Sequence, residues 1–138
     1  MGAIGRENEE GTSFTKKTFS AAKPVIVEVD TYGRRYYDLG AGRYYKITVW
    51  KINGTTRERY ILGYRYLYIK EKHQDDNSWK GTMVVELIQY FPPGNGNPAQ
   101  TLHTPETRFN INEYDMRYYD AEMITKEDFD LFKTKELL

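Results

Sequence analysis

The sequence predicts an α+β domain that is mainly antiparallel β-sheet, forming a curled sheet or small barrel, with a helix at its C-terminal end. Thirteen of the 138 residues are tyrosine, which suits half-buried sheet positions because an apolar ring carries a polar hydroxyl. Apolar residues recur at every second position along several segments, the period of a strand. They recur at helical spacing in the last segment.

The chain is predicted to have three parts. Residues 1–20 are polar and charged, which is typical of a flexible N-terminal tail. Residues 21–122 form the antiparallel β domain. Residues 123–138 form a helix packed on the same domain, and the total length fits a single domain.

The first strands are short. Val25, Val27 and Val29 occupy alternate positions after Pro24 and predict a strand. Residues 35–37 predict a second one before the glycine-rich break at residues 40–42.

A β-hairpin is the clearest predicted element. Residues 43–52 and 55–72 are rich in β-branched and aromatic residues, and they flank Asn53-Gly54, a dipeptide that favours a two-residue type I′ turn. That turn would place Tyr45 opposite Leu62. It would also place Ile47 opposite Tyr60, and these four side chains would point into the core.

The other face of this hairpin is predicted to be basic and aromatic. The same register would place Trp50 opposite Arg57 and Thr48 opposite Arg59. Farther along, Gly63 interrupts the second strand, and glycine inside a strand indicates a bulge or bend.

The following segments predict another strand and a loop. In residues 79–91, Met83, Val85 and Leu87 share one side. Residues 92–98 are rich in proline and glycine and predict a surface loop. Two structures stay open for residues 112–122, a helix or a closing strand.

The last segment predicts a capped helix. Thr125 is a favoured N-cap residue, and Asp128 stands three positions later. Phe129, Phe132 and Leu137 would dock onto the sheet.

The same segment resembles the second half of the bacterial short C-terminal module called SHOCT. The matching residues are Met123-Ile124-Thr125-Lys126-Glu127-Asp128-Phe129, followed by Lys133, Lys135, Leu137 and Leu138. That module is usually appended to other domains and is thought to mediate assembly. The resemblance therefore bears on architecture and self-association, and it implies nothing about an activity.

Composition narrows the classes of function. The absence of cysteine excludes disulfides, agrees with a cytoplasmic location, and leaves only His73 and His103 as soft metal ligands. No membrane-spanning segment, cofactor motif or metal motif is predicted. Asp75, Asp76 and Asn77 suggest a cation-binding loop, but the EF-hand spacing is absent and an ordinary turn is favoured. The histidines are without a companion nucleophile motif, so a non-catalytic protein is favoured.

Charge is unevenly distributed although the formal net charge is zero. Residues 31–72 carry ten basic and three acidic side chains, whereas residues 105–138 carry five basic and nine acidic ones. The predicted binding surface comprises Arg34, Arg35, Tyr44, Lys46, Trp50, Arg57 and Arg59. Two further interpretations stay open: the cations and rings simply alternate on a solvated face, or the acidic helix covers them.

We therefore expect a small accessory protein of bacterial or phage type. Its tyrosine- and arginine-rich sheet would bind a protein partner or a second copy of the chain. The alternative is that the basic aromatic hairpin of residues 43–72 binds nucleic acid or another anionic ligand, with cations on phosphates and rings stacked on bases.

Overall fold

A computed structural model describes residues 23–29, 33–75 and 80–137. The predicted tail of residues 1–20, and Asp76 and Asn77 of the predicted loop, lie outside these ranges. The described elements are β1 (Val25–Glu28), β2 (Arg35–Asp38), β3 (Tyr44–Ile52), β4 (Arg59–Gln74), β5 (Gly81–Phe91), β6 (Gln100–Asn110), β7 (Tyr119–Ile124) and α1 (Lys126–Leu137).

The architecture confirms the α+β, mainly antiparallel prediction. Five strands form one sheet in the order β6-β5-β4-β3-β7, and β1 pairs with β2 in a second, two-stranded sheet. All pairings are antiparallel. The five-stranded sheet has β6 and β7 at its two edges and is therefore open, so of the two predicted forms the small barrel is wrong.

The predicted register of the β3–β4 hairpin is wrong. Tyr45 pairs with Leu67 instead of Leu62, and Trp50 pairs with Ile61 instead of Arg57. Thr48, predicted opposite Arg59, pairs with Tyr64. The connection is longer than two residues because strand pairing closes only at Arg59.

The side chain of Asn53 explains the longer connection. Its Oδ1 accepts hydrogen bonds from the backbone N–H groups of Thr55 and Thr56, at 2.8 and 2.9 Å. The carbonyl of Asn53 accepts a third from Arg57, whose φ of 66° is left-handed. Asparagine thus caps one helical turn, and the chain closes where the Asn53 N–H donates to the Glu58 carbonyl.

The bend predicted at Gly63 is confirmed. The β3–β4 register shifts between Val49 and Trp50, where Leu62 is the extra residue of a bulge. A Cβ atom on Gly63 would lie 2.5 Å from the carbonyl oxygen of Tyr90. Glycine is therefore required by the close approach of β5.

One face of the five-stranded sheet forms the hydrophobic core. Its fully or nearly fully buried side chains include the predicted Tyr45 and Ile47 of the hairpin and Met83, Val85 and Leu87 of β5. The β1–β2 sheet covers this face, and its own buried residues, with Ile111 and Tyr114, complete the core.

Tyrosines line the opposite face, and α1 packs across them. Phe129 lies 5.3 Å from the ring of Tyr44, and Phe132 lies 3.6 Å from the ring of Tyr66, between ring centroids. The predicted cap is confirmed, since the Asp128 N–H donates to Thr125 Oγ1 at 3.0 Å. Residues 112–118 are turns and residues 119–122 belong to β7, which favours the strand over the helix in this segment.

Candidate functional site

The far end of the β3–β4 hairpin extends beyond its neighbouring strands. Pairing of β7 with β3 ends at Val49, and pairing of β5 with β4 begins at Tyr64. We call residues 50–62 the hairpin arm. Within the described part of the chain, the arm is a two-stranded ribbon whose outer edges carry no further strand.

The arm exposes large apolar side chains. Ile52, Tyr60, Ile61 and Leu62 are between 38% and 47% exposed, and Tyr118 beside the base of the arm is 42% exposed. A two-stranded ribbon has no second layer on which to bury such residues. These five side chains are exposed at the same end of the molecule, on both faces of the ribbon.

The arm is also basic. Lys51, Arg57 and Arg59 outnumber Glu58. Among the described residues, none of these three cations has a carboxylate within ion-pair distance. The guanidinium of Arg59 lies 4.3 Å above the Trp50 ring, a cation–π contact.

The indole N–H of Trp50 is an unsatisfied group. It is buried and has no hydrogen-bond partner among the described residues. A buried donor without an acceptor destabilises the folded state. Trp50 therefore contributes through its ring and its contact with Arg59 rather than through its polar atom.

The structure brings together only part of the predicted binding surface. Trp50 and Arg59 are in contact, and Arg57 lies in the loop of the same arm. Lys46 lies on the tyrosine face with its Nζ 4.7 Å from the Tyr64 ring centroid. Tyr44 is stacked on Tyr68 and covered by Phe129. Arg34 and Arg35 lie in the β1–β2 layer, which covers the other face of the sheet.

The acidic helix does not cover the hairpin arm. Its anchors, Phe129 and Phe132, contact Tyr44, Tyr66 and Tyr90 nearer the middle of the sheet. One interpretation left open by the sequence was that the acidic helix covers the basic face. Among the described residues, the helix does not cover the basic side chains of the arm.

A half-buried arginine lies where the core meets the arm. On the core face of β4, Arg65 comes two residues before the fully buried Leu67, which is followed on that face by the fully buried Ile69. Its guanidinium carbon is 5.8 Å from each of the ring centroids of Phe109, Tyr114 and Tyr119.

One hydrogen bond fixes this arginine. Its NH1 donates to the hydroxyl of Tyr114 at 3.3 Å. Burial raises the pKa of Tyr114 far above its usual value, against the opposing effect of Arg65, so the hydroxyl stays neutral. Among the described residues, no carboxylate lies within ion-pair distance of Arg65.

An open groove of about 510 Å³ runs beside this arginine at the base of the arm. Its walls are Val49, Trp50, Lys51, Ile52, Leu62, Tyr118 and Tyr119, together with Arg65. A smaller recess of about 50 Å³ on the β5 side is also lined by Arg65, Val49 and Leu62. The groove thus has both apolar and polar walls, and two of its lining residues, Lys51 and Arg65, are cations.

Sequence reasoning missed the role of Arg65 although the pattern contained the clue. Ile69, Leu67 and Arg65 occupy alternate positions of one strand. A cation that continues a buried aliphatic face must be enclosed by aromatic rings or by a counter-ion.

The histidines do not form a catalytic centre. His73 contacts Glu71 at 2.8 Å, and both side chains are exposed. His103 contacts Glu86 at 2.8 Å, and the same carboxylate oxygen accepts a hydrogen bond from Lys133. This second cluster joins α1 to the sheet, which is a structural task.

Neither a metal centre nor a bilayer-crossing helix is found in the part of the chain that the structure describes. No group of three or more potential metal ligands is assembled there. The one described helix is too short and too polar to cross a bilayer.

The chain was compared with protein-family models, with curated proteins and with solved structures, and no match was found in any of the three. The resemblance of residues 123–138 to the SHOCT module therefore stays a prediction.

Proposed function

We propose that this protein is a non-catalytic accessory protein that binds another protein through the hairpin arm and the groove at its base. One observation carries the proposal. The large apolar side chains of the arm are exposed together at the end of the sheet, where the described chain supplies nothing to cover them. Exposed apolar surface of this kind marks interaction sites.

The chemistry of the arm fits a protein interface. Tyrosine, tryptophan and arginine are the residues that anchor such interfaces, and all three occur in the arm. Beyond Trp50, whose N–H donates to the Tyr118 carbonyl, the described edges of the arm carry no further strand, and they add backbone donors and acceptors that an extended partner segment can pair with. The tyrosine face under α1 is a weaker candidate, because Phe129 and Phe132 already occupy it.

Site-specific photo-crosslinking tests this proposal. A photoreactive phenylalanine analogue is placed at Ile61 in the arm and, as the matched control, at Leu131, which is 67% exposed on α1. The chain is expressed in cells that naturally produce it and irradiated there. We expect a discrete adduct from position 61 and none from position 131, and mass spectrometry then identifies the captured protein.

Two results would contradict the proposal. Equal adducts from both positions would show that any exposed site is captured, and no adduct at position 61 would leave the arm without a partner. An adduct containing two copies of this chain would instead support self-association, which light scattering over a range of concentrations then checks.

Nucleic-acid binding is the second candidate function. Lys51, Arg57 and Arg59 favour it, because none of them has a carboxylate within ion-pair distance in the described part of the chain. The occupied ring faces weigh against base stacking, since Arg59 covers Trp50 and Phe129 covers Tyr44. A fluorescence-anisotropy titration with a labelled single-stranded oligonucleotide at low salt tests it. Binding that weakens steeply with salt and is lost on R57E/R59E substitution would support it, and no binding at low salt would remove it.

A further inference from the structure

The groove at the base of the hairpin arm contains a cation, Arg65, that has no carboxylate within ion-pair distance among the described residues, although Glu113 lies near enough to favour its charged form. Arg65 has five N–H donors, and one of them is used by the Tyr114 hydroxyl. Three aromatic rings hold its side chain in place. The guanidinium is therefore fixed in orientation before any ligand arrives, which reduces the entropy lost on binding.

The surroundings of Arg65 strengthen the electrostatic attraction between its guanidinium and an anion. The groove walls at Val49, Leu62 and Tyr119 are apolar, so the effective dielectric constant there is lower than at an open surface. A guanidinium in such a place binds carboxylates with short, charge-assisted hydrogen bonds. Lys51, which also lines the groove, adds a second positive charge.

The apolar walls also specify what carries the anion. An inorganic anion would fill little of a groove of about 510 Å³ and would leave its apolar walls wet. A polypeptide segment with an acidic side chain between apolar ones would fill the groove and place its carboxylate on the guanidinium. Contact between the arms of two copies is disfavoured, because it would bring Arg57 and Arg59 of one copy onto those of the other.

We propose that Arg65 binds an aspartate or glutamate side chain from an acidic, apolar segment of a different protein, and that this carboxylate anchors the partner in the groove. The inference rests on the proposed function and names the chemistry of the partner. Arg65 is the recognition residue, Tyr114 orients it, and the exposed apolar side chains of the hairpin arm contact the rest of the segment.

Paired peptide mixtures test this recognition on the intact chain. The probes are acetylated, amidated tripeptides with glutamate at the centre and an equimolar mixture of leucine, isoleucine, phenylalanine and tyrosine on either side. The twin mixture has glutamine at the centre. A third mixture keeps glutamine but has a free C-terminal carboxylate, which separates side-chain from terminal carboxylates. Binding is followed by NMR of the isotope-labelled chain, including the Arg65 Nε–H resonance.

We expect saturable shifts at Arg65 and at the groove residues with the glutamate mixture, and affinity roughly tenfold weaker with its glutamine twin. Arg65→Gln should abolish this difference, whereas Arg57→Gln, the matched loss of an exposed arginine, should change the affinity about twofold or less. If Arg65→Gln does not fold, the comparison of the two mixtures on the unaltered chain still decides.

Several results would overturn the inference. Equal affinities for the glutamate and glutamine mixtures would do so, as would tighter binding of the mixture with the free terminal carboxylate. So would a partner crosslinked at position 61 that proves to be a second copy of this chain. Failure of the peptides beside a discrete heterologous adduct at position 61 would reject the Arg65 recognition and leave the proposed function standing.

Discussion

The two ends of the tyrosine-lined face of the β3–β4 hairpin are made from the same kinds of residue, but α1 covers only one of them. At the helix-covered end, Tyr44 and Tyr66 are packed against Phe129 and Phe132. At the arm end, the guanidinium of Arg59 lies over the Trp50 ring, and Ile61 beside it is exposed. Both ends alternate aromatic and basic side chains along the strands.

The difference teaches that cover by the helix, and not residue type, separates the packed rings of this face from those that the helix leaves uncovered. The helix reaches as far as Tyr90 and Glu86 on β5 and leaves the arm uncovered. A ring that the helix buries helps to hold the helix on the sheet, whereas a ring beyond the helix has no such task. Substitutions at the two ends should therefore differ in what they damage.

Removing the main anchor of the helix should have the largest effect. Phe129 is 1% exposed, so Phe129→Ala leaves a cavity and should lower the free energy of unfolding by about 3–5 kcal/mol. Leu131→Ala, on the exposed side of the same helix, should change it by about 0.5 kcal/mol or less. Urea denaturation measures both. Similar losses in the two variants would mean that α1 does not pack on the tyrosine face through Phe129.

The junction between the covered end and the arm comes next. Gly63→Ala places a Cβ atom against the Tyr90 carbonyl oxygen, where backbone has to shift, and should cost about 2 kcal/mol. Gly54→Ala, in the loop of the arm, meets no atom within 4 Å and needs no left-handed backbone, so it should be nearly neutral. Thermal unfolding compares them, and a tolerated alanine at position 63 would contradict the bulge geometry.

The fold class followed from sequence because it depends on strand periods and capping that are local. Val25, Val27 and the alternation in β5 indicate strands without reference to tertiary structure. Thr125 caps its helix through an N–H only three residues away. The choice between an open sheet and a small barrel did not follow, since whether edge strands meet depends on the summed twist of the whole sheet.

The two Asn-Gly dipeptides show where local reasoning fails. Asn53-Gly54 was expected to form the tight hairpin turn, yet its asparagine caps a wider loop. Asn95-Gly96 lies in the predicted surface loop and forms the two-residue turn instead, with φ values of 52° and 80°. Gly94 and Asn97 there exchange both backbone hydrogen bonds, at 2.8 and 3.1 Å. The same dipeptide supports both structures, and the flanking strands select between them.

The candidate site was predictable in its location and not in its composition. The basic aromatic character of the arm was evident from Trp50, Arg57 and Arg59. The wrong register, however, assigned Tyr60 and Leu62 to the core, whereas both are exposed. Arg65 lies on the core face, and its partners Tyr114 and Tyr119 come from a distant part of the chain that only the fold brings near.

Acid should loosen the covered end before it affects the arm. Burial alone would raise the pKa of Glu86, but hydrogen bonds from Lys133 and His103 outweigh it and hold the pKa below its usual value. The ionised carboxylate therefore stabilises the fold in full at pH values above the pKa of an unfolded glutamate, about 4.3. This contribution is lost as the pH falls through the lower pKa of Glu86 in the folded state. We expect unfolding free energies of Glu86→Gln to be about 1–2 kcal/mol lower at pH 7, with the gap to the unaltered chain closing towards pH 3. A gap of the same size at both pH values would contradict this role of the carboxylate.

The smallest effect should come from the arm itself. Trp50→Phe keeps an aromatic ring beneath Arg59 and removes the buried indole N–H that has no acceptor among the described residues. Losing an unsatisfied donor offsets the loss of ring area, so the free energy of unfolding should change by about 0.5 kcal/mol or less. Trp50→Ala, which also removes the cation–π contact, serves as the comparison in the same denaturation experiment and should be clearly less stable. A loss above about 2 kcal/mol in Trp50→Phe would mean that the N–H has a partner in solution and that the arm end is tied into the fold as firmly as the end beneath the helix.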